Sequence, residues 1–280
     1  MKITGFCDLN IPFQSEKNIK LLCEELVNLN YRIVALNQTV EEENLDNTEG
    51  SSKKKKKGSR KEIVPEPPSL SFLDDLKKKL QIIHRITIVF SDPQYLQKVN
   101  QSANIKKYDL ISVIPTTLDA FQLACASKDI DLISFDASNK CDFRFNRKMY
   151  GLGVSHNVYF EIPYAPAILN ATSRKNTIQM AHLYHTFGKS KNVIISSKAL
   201  NHFHLRGPYD VMNLGLLFGL SEEQSKNAAT NNCRTLLIRA QGRKFGKTSM
   251  TMEIHDLRLD ESQLPEEEGP SIKRLRVDNT

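Results

Sequence analysis

NVIISSKALNHFHLRGPYDVMNLGLLFGL, residues 192–220, reads as one complete strand–loop–helix unit. Asn192 to Ser196 is a short β-branched run of the kind that forms a buried parallel strand. Ser197 to Leu205 is a polar loop containing His202 and His204. In Arg206 to Asp210 the Gly207-Pro208 pair sets the backbone for a helix start. Val211, Leu214, Leu217 and Phe218 then recur at helical spacing and predict an apolar stripe, with Gly215 and Gly219 leaving flat spots for close packing. In α/β folds the loop after such a strand lies on the face that carries sites, so function is sought there first.

The same unit repeats upstream. Lys2 to Leu9 predicts a strand. Ser15 to about Asn30 predicts a helix with Ile19, Leu22, Leu26 and Leu29 on one face, and Tyr31 to Leu36 a second strand, which makes a right-handed parallel unit. Arg85–Phe90, Tyr108–Ile114, Ile130–Phe135 and Asn157–Ile162 predict further strands. Helices are expected at Phe72–Leu80, from Asp92-Pro93 to Asn100, after a cap at Thr116 or Thr117, and at Arg174–Phe187 with Gly188 ending it. A helix capped by Ser221 with Glu223 or Gln224 follows, then one at Thr230–Arg239 with Leu236, Leu237 and Ile238 inward. Strand–helix repetition with short links predicts a parallel sheet with enough units to close a barrel, a TIM-like (β/α) barrel in the α/β class. Residues 1–40 and 69–255 are expected to form this single domain. Residues 41–68, acidic and then lysine-rich and proline-rich, are expected to be a low-complexity insertion, and 256–280 a disordered tail.

Composition narrows the function classes. The chain of 280 residues is 40% hydrophobic and has no apolar run long enough to span a membrane. Its first residues lack the pattern of a secretory signal. Five scattered cysteines without a C-x-x-C pair predict free thiols in a reducing compartment and no zinc site. The net charge of +7 is uneven: residues 140–255 hold sixteen basic and six acidic side chains. A basic half on a neutral frame fits a polyanionic partner, and it fits a solvated basic surface equally well. Cys141 to Lys148 interleaves Phe143 and Phe145 with Arg144, Arg147 and Lys148, which suits RNA stacking and phosphate contact, or one buried face of an alternating strand. Lys53, Lys54, Lys55, Lys56 and Lys57, and again Lys273, Arg274 and Arg276, form basic clusters suited to nuclear import.

The chemistry is less legible. His202 and His204 after a strand could hold a metal with Asp8, Asp136 or Glu161 from other strand ends, but no H-x-H follows the first strand, and loop histidines are the simpler reading. His182 and His185 lie three apart on a helix. No phosphate-loop, dinucleotide or nucleophile-elbow motif occurs; Gly242 to Thr248 is one residue short of a phosphate loop and no strand precedes it.

Four passages resemble the TIM-barrel protein subunit, about thirty kilodaltons in eukaryotes, of ribonuclease P and the related ribonuclease MRP. They are Arg85 to Pro93, Tyr108 to Pro115, Lys191 to Ser197, and the long run Leu205 to Ser221. Val34 to Asn37 and Phe160 to Ile168 are weaker echoes, and the resemblance spans roughly residues 3–240. It implies a nuclear and nucleolar, non-catalytic subunit of a ribonucleoprotein that removes 5′ leaders from precursor tRNA and, as MRP, processes rRNA precursors. Catalysis would belong to the RNA. The implied partners are the ribonuclease P and MRP RNAs, precursor tRNA through the complex, a small ferredoxin-like-fold subunit and other ribonuclease P proteins. No cofactor is implied, and the barrel is related to metal-phosphoesterase barrels. Arg174, Lys175, Lys189, Lys191, Arg206, Arg234 and Arg239 are the candidate RNA contacts, Arg206 foremost because it flanks a helix N-terminus; a salt bridge to Asp210 is its competing role. A free-standing metal phosphoesterase using His202 and His204, and a protein scaffold independent of RNA, are the alternatives.

Overall fold

The computed structural model describes residues 5–42 and 63–246. Seven strands lie in sequential order and every adjacent pair is parallel. They are β1 (Phe6–Pro12), β2 (Tyr31–Glu41), β3 (Gln81–Phe90), β4 (Leu110–Pro115), β5 (Leu132–Ile133), β6 (Tyr159–Pro163) and β7 (Val193–Ser196). Around them run α1 (Glu16–Asn28), α2 (Pro93–Asn100), α3 (Leu118–Ala126), α4 (Arg147–Ser155), α5 (Ala165–Leu169), α6 (Ala171–Gly188), α7 (Pro208–Leu217), α8 (Glu222–Ala229) and α9 (Asn231–Phe245). Short 3-10 turns occupy Ser71–Leu73, Ala103–Lys107 and His202–His204.

The sheet curls until β7 meets β1. Lys198 donates its backbone N–H to the Asn10 carbonyl at 2.9 Å, and Ser197 bonds the same carbonyl through Oγ at 3.3 Å. The Asp8 carboxylate completes the seam by accepting the Ser197 N–H at 3.1 Å. The architecture is therefore a TIM-like barrel of seven strands.

Strand alternation sends every second side chain inward, and the interior is layered. Cys7, Leu9, Ile33, Ala35, Ile83, Leu110, Leu132, Tyr159 and Ile194 form an apolar floor, against which α9 packs Cys233, Leu236, Leu237 and Ala240. Above this floor the inward residues turn polar: Asn10, Asn37, Arg85, Thr87, Ser112, Ser134, Glu161 and Ser196, all buried. Val34, Leu36, Ile86, Ile88 and Ile111 point outward beneath the helices.

Local chemistry sets the element ends. Asp92 caps α2 through Gln94 N–H, Thr117 caps α3 through Ala120 N–H, and Ser221 with Gln224 forms a reciprocal capping box on α8. Ser15 stands at the N-cap of α1 without a side-chain hydrogen bond. Several sequence expectations shift. β2 continues to Glu41 and Val64 is fully buried, so the described ends of the expected 41–68 insertion belong to the barrel. The expected helix at Phe72–Leu80 shortens to the turn Ser71–Leu73. Ala165–Leu169 adds a short helix between β6 and α6. Lys189 at φ +53°, not Gly188, caps α6, while a Cβ on Gly188 would stand 1.9 Å from the Tyr150 ring. Gly215 does provide a close approach, of α7 to Ser225, whereas Gly219 at φ +85° follows the helix end. Leu217, expected inward, is 70% exposed, because Val211, Gly215 and Phe218 form the buried side. α9 runs on to Phe245, and within it Ile238 is only half-buried.

Candidate functional site

The barrel axis carries one charged pair. Arg85 and Glu161 are both fully buried and meet bidentately, Nη1 to Oε1 at 2.6 Å and Nη2 to Oε2 at 2.7 Å. Every other guanidinium donor is also used. Nη1 reaches the Leu9 carbonyl at 2.7 Å, Nη2 reaches Ser112 Oγ at 2.9 Å, and Nε reaches Thr87 Oγ1 at 3.3 Å. Glu161 Oε1 accepts from Ser196 Oγ at 2.6 Å and from Asn10 Nδ2 at 3.2 Å. Thr87 donates to Asn37, whose amide donates back to Asn10 Oδ1 at 3.1 Å, so the polar layer closes on itself. Burial alone would raise the Glu161 carboxyl; the Arg85 charge and hydrogen bonds from Arg85, Ser134 and Ser196 outweigh it and hold the group below the ordinary glutamate range.

A cavity of about 580 Å³ opens above this layer at the C-terminal ends of the strands. Its walls mix Phe121, Phe135 and Phe143 with Thr39, Asn139 and Lys140. A barrel enzyme places its ionisable groups here; in this barrel the central acid and base neutralise each other, and Glu41, Asp136, Asp142 and Lys198 stand in the cavity walls. Asp136, a candidate ligand, accepts from Ser138 N–H and Asn139 Nδ2. His202 and His204 lie in the 3-10 turn after β7, and their Nδ1 atoms have no partner. Glu161 is committed to Arg85, and among the described residues no three His, Cys, Asp or Glu side chains converge as a metal site would require.

Asp8 behaves oppositely to Glu161. It is buried outside the polar ring, its Oδ2 has no partner, and burial pushes its carboxyl up to about 6. A carboxyl raised on folding binds a proton more tightly in the native state, so stability is greatest below the unfolded pKa near 4 and falls as pH rises through about 6. We expect Asp8→Asn to remove a pH dependence on the order of 2–3 kcal/mol across that window. Urea unfolding from pH 4 to 8 reads it as wild type losing stability relative to the variant; parallel curves would refute the assignment.

The candidate RNA contacts divide by what holds them. A carboxylate partner cancels a cation's charge, whereas a carbonyl partner orders it and leaves the charge standing. Arg239 belongs to the first group, bound to Asp131 at 3.0 Å and to the Ile130 carbonyl at 2.7 Å. Arg206 belongs to the second: Nη1 donates to the carbonyls of Phe203 at 2.9 Å and Leu205 at 2.7 Å, and among the described residues it makes no ion pair with Asp210. Arg174 likewise donates to the carbonyls of Ala167 and Ile168, closing off α5. Lys175, Lys189, Lys191 and Arg234 are exposed, and none is paired with a carboxylate among the described residues. The clusters Lys53–Lys57 and Lys273, Arg274, Arg276 lie outside the described residues.

Lys140, Arg144, Arg147 and Lys148 lie outside that set, although their alternation with phenylalanines is visible in the sequence. Residues 138–146 form no strand, yet the alternation holds, with Phe145 buried against Phe121 at 4.7 Å and the four cations exposed.

The profile of the family described as RNase P subunit p30 matches residues 5–245, and the chain belongs to that family. It is 34% identical over 269 residues to the mouse ribonuclease P protein subunit p30, covering 94% of this chain and 97% of the mouse one. It is 21% identical to the ribonuclease P/MRP protein subunit RPP1 of Saccharomyces cerevisiae, over 82% of this chain and 79% of that one. Its fold is shared with a chain of an archaeal ribonuclease P solved with mature tRNA, at TM-score 0.59 and 15% identity, covering 89% of this chain and 99% of the other.

Proposed function

We propose that this chain is a non-catalytic protein subunit of ribonuclease P, shared with ribonuclease MRP, that braces the RNA which performs cleavage. The match over residues 5–245 supports membership in the complex. The observation that carries the non-catalytic role is the Arg85–Glu161 pair: these two groups on the barrel axis are saturated by each other and by neutral neighbours, so neither is free to activate water or hold a metal. The cations that keep their charge supply contacts to phosphate.

Leu200 and Phe203 on the loop after β7, and Tyr209 and Leu217 at the two ends of α7, each at least 53% exposed, offer apolar surface for a protein neighbour. A small ferredoxin-like subunit is the partner we assign to it. Nuclear and nucleolar residence follows from work on precursor tRNA and rRNA.

The test is recovery of tagged chain from nuclear extract, sequencing of bound RNA, and a precursor-tRNA cleavage assay. Both RNAs and 5′-leader cleavage are expected in the eluate, with none by the purified chain. Good protein yield without either RNA would overturn the reading, and metal-dependent phosphoester hydrolysis by the chain alone would replace it with the phosphoesterase.

A further inference from the structure

Between Ala137 and Leu205 the sequence has nine lysines and arginines against two acids, Asp142 and Glu161, and Glu161 is buried under Arg85. Only Asp142 among these acids is exposed. Eight of the nine cations fall on α4, α6 and their flanking loops, the ninth, Lys198, standing at the seam of β7 with β1, and packing makes these elements one face. Tyr150 of α4 lies 5.8 Å from Tyr184 of α6, and its hydroxyl donates to the Lys191 carbonyl at 2.6 Å. Asn176 of α6 donates to the Ala137 carbonyl at 3.0 Å, which ties the start of the β5–α4 loop to the same helix. Phe145 from that loop packs 5.4 Å from Phe187.

Three properties narrow what this face can bind. Lys140, Arg144, Arg147, Lys148 and Lys175 stand on the side of the barrel mouth, and Lys191 stands at the far end of α6. Lys175 and Lys189 are fourteen residues apart, ~21 Å along a helix. Arg147 and Lys148 occupy the first turn of α4, where the helix dipole disfavours cations, so an anion there relieves a repulsion already present. No phenylalanine or tyrosine between 137 and 191 is exposed: six are buried, and Phe143 and Phe187 pack half-buried against the core, which leaves His182 and His185 as the exposed rings.

We propose that the α4–α6 face binds the phosphate backbone of duplex RNA and does so without reading sequence. This rests on the subunit reading above and adds the face and the form of RNA. Cations at two separated places on one packed face, without exposed phenylalanine or tyrosine rings, suit a rigid A-form helix recognised through shape and phosphates. A flexible single strand would order itself along the face with no bases held in return.

The experiment uses the full chain with a 20-base-pair RNA duplex and a single strand of equal length, titrated by fluorescence anisotropy over a salt series. The test variant is Arg144→Gln/Arg147→Gln/Lys148→Gln/Lys175→Gln. The control is Lys17→Gln/Lys20→Gln/Lys78→Gln/Lys79→Gln, which removes the same charge from exposed positions elsewhere. Wild type should prefer duplex. The test variant should lose on the order of 100-fold in duplex affinity and lower the log–log salt slope by about 3, with an unchanged melting temperature, while the control loses less than about 3-fold. Equal losses in both variants, or a preference for single strand, would overturn the proposal. If wild type binds neither RNA yet copurifies with active ribonuclease P, the face is wrong and the subunit reading stands. Failure to recover the RNA enzyme at all would remove the reading itself.

Discussion

Arg85→Met is expected to destabilise the fold by about 3–5 kcal/mol, the typical cost of removing one partner from a buried ion pair. Glu161 would remain at zero exposure with no counter-charge, and Leu9 O, Ser112 and Thr87 would each lose a donor. At roughly 2–4 °C per kcal/mol for a domain of this size, the melting temperature should drop by roughly 6–20 °C. The replacement of both residues, Arg85→Met with Glu161→Met, should be more stable than Arg85→Met alone, because no charge is left without a partner. The pH dependence has a definite sign. Glu161 is held below its ordinary pKa, so the stability it contributes is present above the unfolded pKa near 4.3 and is lost as pH falls through the folded value. The deficit of Arg85→Met should therefore shrink in acid, where Glu161 accepts a proton. Urea midpoints for the three proteins at pH 7 and pH 4 measure all of this. A single variant within about 1 kcal/mol of wild type at pH 7 would mean that water reaches the barrel axis and the pair is not the core of the polar layer.

The strand–helix rhythm was legible because it is local: β-branched runs, caps at Asp92 and Ser221, and the Gly207-Pro208 start need only a few neighbouring residues to be read. The interior was not. Arg85 sits in an apolar run that reads as an ordinary strand, and its partner lies 76 residues away. Glu161 was noticed as an acid near a strand end, but whether such an acid is a metal ligand or half of an ion pair depends on what faces it across the barrel. β5 shows the same limit. Ile130 to Phe135 is buried throughout, as its composition predicts, yet only Leu132 and Ile133 pair on both sides, because burial and ladder pairing are separate requirements. On α7 the apolar arc is wider than the buried face, and spacing alone could not assign Leu217 to the outside. The basic half was legible as a sum, but the division between cancelled and free charge needed the fold.

Asp131→Ala is the second large effect, expected at about 3–4 kcal/mol. Its side chain is fully buried beside the start of β5 and accepts from Arg239 Nη1 at 3.0 Å, Arg243 Nη2 at 2.8 Å and the Ile111 N–H at 2.9 Å. Both arginines lie on α9, the helix whose Cys233, Leu236, Leu237 and Ala240 close the barrel floor. One carboxylate thus pins the floor helix to the sheet. The loss should fall at the lower part of the range for a broken buried pair, since the two arginine side chains retain 17% and 14% exposure and can turn toward water. The same variant separates two roles for Arg239, which sequence placed among the RNA contacts. If Arg239 serves the fold, Arg239→Gln should lower stability and leave the duplex affinity of the folded protein within about 2-fold of wild type, since a cation already cancelled by Asp131 contributes little to phosphate binding. The double variant with Asp131→Ala should then destabilise by less than the two single losses added together, the mark of residues that act on each other. Additive losses together with a 10-fold fall in RNA affinity would return Arg239 to the RNA surface and leave α9 held by apolar packing alone.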